Sequence, residues 1–91
     1  MEKMMPYKIG RNIFIRTVTM IYTGKLAEVY DDELIIVEAA WIADTGRYSQ
    51  AIATGNFDEV EPYPDNAEVI VNRKAIVDAF HVDWKLPRTQ K

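Results

Sequence analysis

The residues of this chain that could do covalent chemistry are few. Asp44-Thr45-Gly46 puts a carboxylate in a tight turn behind Trp41-Ile42-Ala43. Two such carboxylates, one from each of two copies, can share a proton and activate a water molecule. Arg47 follows the glycine, and the last glycine of the chain is Gly55. His81 is the only histidine. A metal needs three or four ligands, and in a strand Asp83 would share the face of His81 while Asp78 would take the other. With no cysteine there is no thiolate nucleophile or ligand. Ser49 lies outside a nucleophile elbow, and the glycines form no phosphate cradle. We expect no catalytic residue, no metal and no cofactor. Asp44-Thr45-Gly46 as a turn leading into a helix is the ordinary alternative.

The composition supports the same direction. Ninety-one residues suit one domain, 1–91. A chain this short buries only about 60–65% of its unfolded surface. Without disulfides, extra burial must come from an efficient barrel or from oligomerisation. The 48% apolar content and two tryptophans exclude a disordered chain. A net charge of −3, from 14 acidic and 11 basic residues, is the wrong balance for a nonspecific nucleic-acid binder. The charge is uneven, however. Lys85, Arg88 and Lys91 make the end basic, and Asp58, Glu59, Glu61, Asp65 and Glu68 make the middle acidic. Arg11, Arg16 and Lys25 could form a basic face if strand register allows. The opening MEKMMPYKIG lacks the apolar core of a signal peptide. No run approaches the ~18 apolar residues of a membrane span. The expectation is a cytoplasmic protein with no membrane partner.

These residues must be positioned mainly by strands. After a lead-in that ends at Gly10, residues 12–22 (NIFIRTVTMIY) are rich in β-branched and aromatic types and read as one long strand. Thr23-Gly24 lets it bend into a second strand at 26–30, with Gly24 marking a bulge or corner. Asp31-Asp32-Glu33 is an acidic turn. Residues 34–42 form the third strand, and its Leu34-Ile35-Ile36-Val37 run predicts burial on both faces. Residues 46–54 predict a short helix, capped by Asp44 or Thr45 and ended by Gly55. Residues 57–63 read as extended, kept at an edge or out of a sheet by Pro62 and Pro64. Two further strands, 68–72 and 76–82, precede a tail at 84–91. Trp41, Tyr48, Phe57, Tyr63, Phe80 and Trp84 read as core or subunit-contact residues, with Trp41 expected to anchor the insertion at about 44–66.

Two segments carry a family resemblance. Gly24 to Ala39 (GKLAEVYDDELIIVEA) has Gly-x-Leu, an acidic turn, then Leu-apolar-apolar-x-acidic-Ala. Val69 to Ala79 (VIVNRKAIVDA) places Asn72-Arg73-Lys74-Ala75-Ile76 at a tight turn between two strands. In this order they resemble the two signatures of the Sm-like proteins, the bacterial Hfq family included. EAAWIADTGRY, EVEPYP, NRKAIVDA and LPRTQK together look like small phage-encoded proteins of that kind. The resemblance implies a mainly β fold: a five-stranded SH3-like or Sm-like small barrel with a short helical insertion between strands three and four. It also implies a homo-oligomeric ring of about five to seven subunits, closed by strand four of one copy pairing with strand five of the next.

The interface candidates are then Val69, Ile70, Val71, Ile76, Val77 and Phe80. Other phage proteins are candidate partners. RNA is the alternative partner, with Asp32, Glu33, Asn72, Arg73 and Lys74 as the candidate site. In RNA-binding Sm-like proteins an Asn in the acidic turn reads the base. Glu33 stands there in this chain, where its carboxylate repels phosphate and accepts only from base donors. Arg73 and Lys74 either line a pore or are solvated turn residues. A third reading comes from the Asp-Thr-Gly triplet, which is similar to that of the retroviral aspartic proteases, dimeric enzymes of about this length. The chain departs from them at Arg47 and in the missing late glycine.

Overall fold

A computed structural model of the chain describes residues 6–91. The first part of the lead-in therefore lies outside the described residues. Six antiparallel strands and one short helix follow: β1 (Asn12–Thr17), β2 (Ile21–Val29), β3 (Glu33–Asp44), α1 (Tyr48–Thr54), β4 (Glu59–Pro62), β5 (Val69–Asn72) and β6 (Ile76–Val82). A single 3-10 turn, Arg73–Ala75, joins β5 to β6. The sheet order is β4-β3-β2-β1-β6, with β5 also on β3, and the sheet does not close. The twelve-residue β3 organises it. Its first half pairs with β5 and its second half with β4, while β2 runs along its other side.

Two expectations about strands need correction. The long first strand is two strands. Thr17 reverses the chain: its N–H and hydroxyl donate to the Met20 carbonyl at 2.7 and 2.9 Å, and its hydroxyl accepts from Met20 N at 2.9 Å. A threonine hydroxyl here does the work usually signalled by glycine or asparagine. The strand count is six, because Glu59–Pro62 pairs with β3 as β4. Pro62 is tolerated there at the strand's last position.

Gly24 sits in the expected bulge, where the β2–β3 register shifts between Thr23 and Lys25. A Cβ there would lie 3.1 Å from the Val37 carbonyl oxygen and 3.2 Å from Ala39 Cα. Across from it, Glu38 has φ of 48°. This bulge decides what β3 can do. Leu34, Ile36 and Ala39 pack in one apolar cluster, while Ala40 and Ile42 pack in another. Strand residues two apart share a face. One extra residue at Glu38 therefore turns the even-numbered side chains to the opposite side of the sheet.

The protein thus has two cores. Ile13, Ile15, Leu26, Leu34, Ile36, Ala39 and Val71 fill the first. Phe14, between Ile13 and Ile15, points the other way and joins Phe57, Val60, Ala51 and Val82 in the second. That second core is built by the insertion. Helix α1 begins at Tyr48, two residues later than the sequence suggested. Its N-cap is Arg47, whose side chain makes no capping bond, in place of Asp44 or Thr45. It ends as expected at Gly55, in the left-handed conformation at φ 76°. Phe57 is 1% exposed and stacks on Phe14 with ring centroids 6.1 Å apart. Trp84 meets Phe57 edge-on at 5.6 Å and donates its indole N–H to the Ile52 carbonyl at 2.9 Å. The insertion is therefore anchored by Phe57 and Trp84. Trp41, expected in that role, is 37% exposed and meets the insertion only near its end, opposite Glu61 of β4.

Residues 84–91 are fastened down. Lys91 exchanges two backbone hydrogen bonds with Val60, at 2.9 and 3.0 Å, on the outer edge of β4. Arg88 donates to the carbonyls of Ala39 (3.0 Å) and Tyr63 (2.8 Å) and to the Asp65 carboxylate (2.6 Å). Among the described residues no helix is long and apolar enough to cross a membrane.

Candidate functional site at the acidic turn and the 3-10 turn

Four of the five candidate nucleic-acid residues converge. Register does this: Glu33 lies opposite Asn72 where β3 meets β5. Asp32, Glu33, Asn72 and Lys74, with the exposed Ile70, surround a shallow recess of about 390 Å³. Segments some forty residues apart in sequence thus form one surface.

The side chains of this surface are largely engaged with one another. The Asn72 amide oxygen accepts from Lys74 N at 2.9 Å, capping the 3-10 turn. Lys74 Nζ stands 3.7 Å from Asp32, both side chains exposed. Arg73 turns inward. Its backbone N–H donates to Asp32 O at 2.9 Å, its guanidinium donates to Tyr30 O at 2.7 Å, and it lies 5.0 Å from the centroid of the Tyr7 ring. Arg73 thus ties the second turn to the first and to the lead-in. The field here is negative. The Tyr30 phenol donates to Glu28 and is held above its ordinary pKa, first by that hydrogen bond, then by the charge of Glu28, then by desolvation and, more weakly, by the charges of Glu33 and Glu68.

The six interface candidates divide by environment. Val71 is 4% exposed and belongs to the first core, with Val69 and Ile76 packed against it. Ile70, Val77 and Phe80 are exposed at 65%, 61% and 42%. Phe80 also leans on Phe14, ring centroids 5.8 Å apart.

The other sequence candidates are occupied by local structure. Asp44 accepts from Gly46 N at 2.8 Å, and the Thr45 hydroxyl donates to the Gly46 carbonyl. The triplet spends these polar atoms on its own turn. His81 Nε2 accepts from Lys8 N at 2.9 Å, so its Nδ1 carries the proton that faces the Asn12 carbonyl at 3.1 Å. This histidine pins the lead-in to the sheet. Two of the three residues of the basic face are paired, Arg11 with Asp83 at 3.4 Å and Arg16 with Asp78 at 2.5 Å, while Lys25 makes no ion pair among the described residues. Two residues of the basic tail are likewise used, Arg88 as described and Lys91 Nζ on the Asn56 amide oxygen at 2.8 Å.

Sequence reasoning missed one feature. Tyr22, Trp41 and Tyr63, with Met20, Pro62 and Pro64, line an open apolar groove. Only the Tyr22–Trp41 cross-strand pairing, predictable from a correct register, could have pointed to it. Comparison of the chain with family models, with curated proteins and with solved structures finds no match.

Proposed function

We propose that this chain acts by assembly: an Sm-like small barrel whose copies join head to tail into a ring of about five to seven subunits. In this reading it is a non-enzymatic structural or adaptor module, of the kind suggested by its resemblance to phage-encoded proteins. One observation carries the proposal. β5 and β6 each have a single strand partner among the described residues, β3 and β1 respectively. The edges left over carry backbone donors and acceptors suited to pairing with another strand. Ile70 and Val77, the most exposed of the candidate interface side chains, lie on these same two strands. A contact between two different edges is heterologous, and it closes into a ring when its rotation permits.

RNA binding at the acidic-turn recess is the second reading, favoured by the convergence of Asn72 and Lys74 there. The engagement of Arg73 and the negative field weigh against it. One experiment separates the two: light scattering after gel filtration, with absorbance at 260 and 280 nm. A mass of about five to seven chains with a clean protein spectrum supports the ring module. A copurifying 260 nm signal that is lost in Lys74→Ala supports RNA. A single-chain mass overturns the ring.

A further inference from the structure

We propose that the groove between β2, β3 and β4 docks an extended, proline-containing peptide of a partner protein, with arginine or lysine beside its prolines. No residue of β5 or β6 lines the groove, and the proposal does not depend on the ring. Its volume is about 330 Å³, at the lower end of the ~300–1,000 Å³ typical of ligand sites.

Three observations select this occupant. The first is the wall chemistry. Tyr22 and Trp41 stand opposite each other on β2 and β3, and Pro62, Tyr63 and Pro64 form the facing wall. Aromatic walls of this kind take up polyproline helices, which arrive already extended and lose little entropy on docking. The second is the supply of donors. A proline-rich backbone offers carbonyls and few N–H groups, so its groove needs donors. The indole N–H of Trp41, 37% exposed, has no hydrogen-bond partner among the described residues. Tyrosine and tryptophan combine an apolar body with such a polar edge.

The third is charge. Glu61 lines the groove directly across from Trp41. The segment 58–68 that supplies the wall holds five acidic residues and no basic one. Of these, Asp65 is neutralised by Arg88 at 2.6 Å. Glu61 gives one oxygen to Gln90 at 3.1 Å, and its negative charge remains for a cationic side chain.

The groove is also held in shape before any peptide arrives. Arg88 grips the Tyr63 carbonyl and Asp65 from behind the wall and binds the Ala39 carbonyl at the β3 bulge. Tyr63 N donates to that same carbonyl at 2.8 Å. Preorganisation of this kind lowers the cost of binding.

The test is a titration of the full chain with a short peptide of alternating proline and alanine ending in two arginines, followed by tryptophan emission. The expected result is a saturable change, and in Trp41→Phe, which lacks the reporter, binding of the same peptide carrying a dye and followed by its anisotropy should be lost. That variant should keep its fold, because Trp41 belongs to neither core. Glu61→Gln should bind about fivefold more weakly, and a peptide with the prolines replaced by alanine about tenfold more weakly. Any of four results would overturn the proposal. One is an unchanged emission at millimolar peptide, or equal binding of a peptide ending in glutamates. Another is saturation of the same response by tetramethylammonium alone, which would make the groove a cation cage. The last is a fall in assembled mass on Trp41→Phe, which would make it a contact between copies.

Discussion

Arg16 and Asp78 show how individual charges are used in this protein. The guanidinium meets the carboxylate through two hydrogen bonds, 2.7 and 2.5 Å, across β1 and β6, and lies 5.6 Å from the Tyr48 ring centroid. The pair ties the edge strand to the sheet and leaves Arg16 nothing to offer a phosphate. The hydrogen bond from Arg16 holds the Asp78 carboxyl below its usual range, opposed by desolvation and helped to a smaller extent by the Arg16 charge. A carboxyl with a lowered folded pKa stabilises the fold above its unfolded value of about 3.9, and that contribution disappears as pH falls through the folded value. Asp78→Asn should therefore lower the urea midpoint at neutral pH, with the gap to the parent protein closing as the solution is acidified below pH ~4. Both side chains are partly exposed, so the gap should be small. A gap that widens in acid would refute this assignment.

At the scale of elements, the insertion gives the sheet its second core. A helix of seven residues has little stability of its own. It is held by Ala51 and Ile52, which pack with Phe57 and Trp84 over Phe14. Phe57→Ala should cost about 3–5 kcal/mol, the usual range for emptying a buried phenylalanine site, measured as a shift in the denaturant midpoint. Hydrogen exchange should locate the loss. Amides of α1 and the Trp84 indole N–H should lose protection first, while Leu34–Ile36 in the other core keep theirs. Uniform loss across both cores would mean that the two clusters unfold as one unit. Gly55 belongs to the same element: a Cβ there would fall 2.5 Å from the Trp84 ring, so the glycine serves both the helix end and the close approach of the tail.

For the whole molecule, the question is how an unclosed sheet manages its ends. Lys91 covers the outer edge of β4, and Arg88 braces the adjoining Tyr63–Asp65 wall from behind. The outer edges of β5 and β6 have no such cover among the described residues. Ile70→Lys combined with Val77→Lys places charges on those strands without entering either core, since both side chains are exposed. If the ring reading is right, the double variant should fall to a single-chain mass in light scattering while its far-UV spectrum is unchanged. Charged side chains on an edge oppose strand pairing in this way. An unchanged mass would place any assembly on another surface.

The sequence by itself determined the local features: the mainly β character, the acidic turn, the bulge at Gly24, the helix end at Gly55 and the burial of Leu34–Ile36. Each depends on side chains within a few positions of one another, where period, propensity and turn chemistry act. The approach of the Gly24–Ala39 segment to Asn72 and Lys74 was also legible, because both turns carried recognisable patterns. Other features depended on the tertiary structure. Thr17–Met20 contains no glycine, proline or asparagine, and its turn is made by one hydroxyl. Glu59–Pro62 becomes a strand only because the second half of β3 leaves an edge free after the Glu38 bulge. The sequence leaves Arg73 either in a pore or in solvent and shows Arg88 only as part of a basic end, yet both end on backbone carbonyls of residues more than twenty positions away. The groove at Trp41 needs three strands in register before it exists. Long side chains find partners only after the sheet has brought distant carbonyls within reach, and that register is a property of the whole fold.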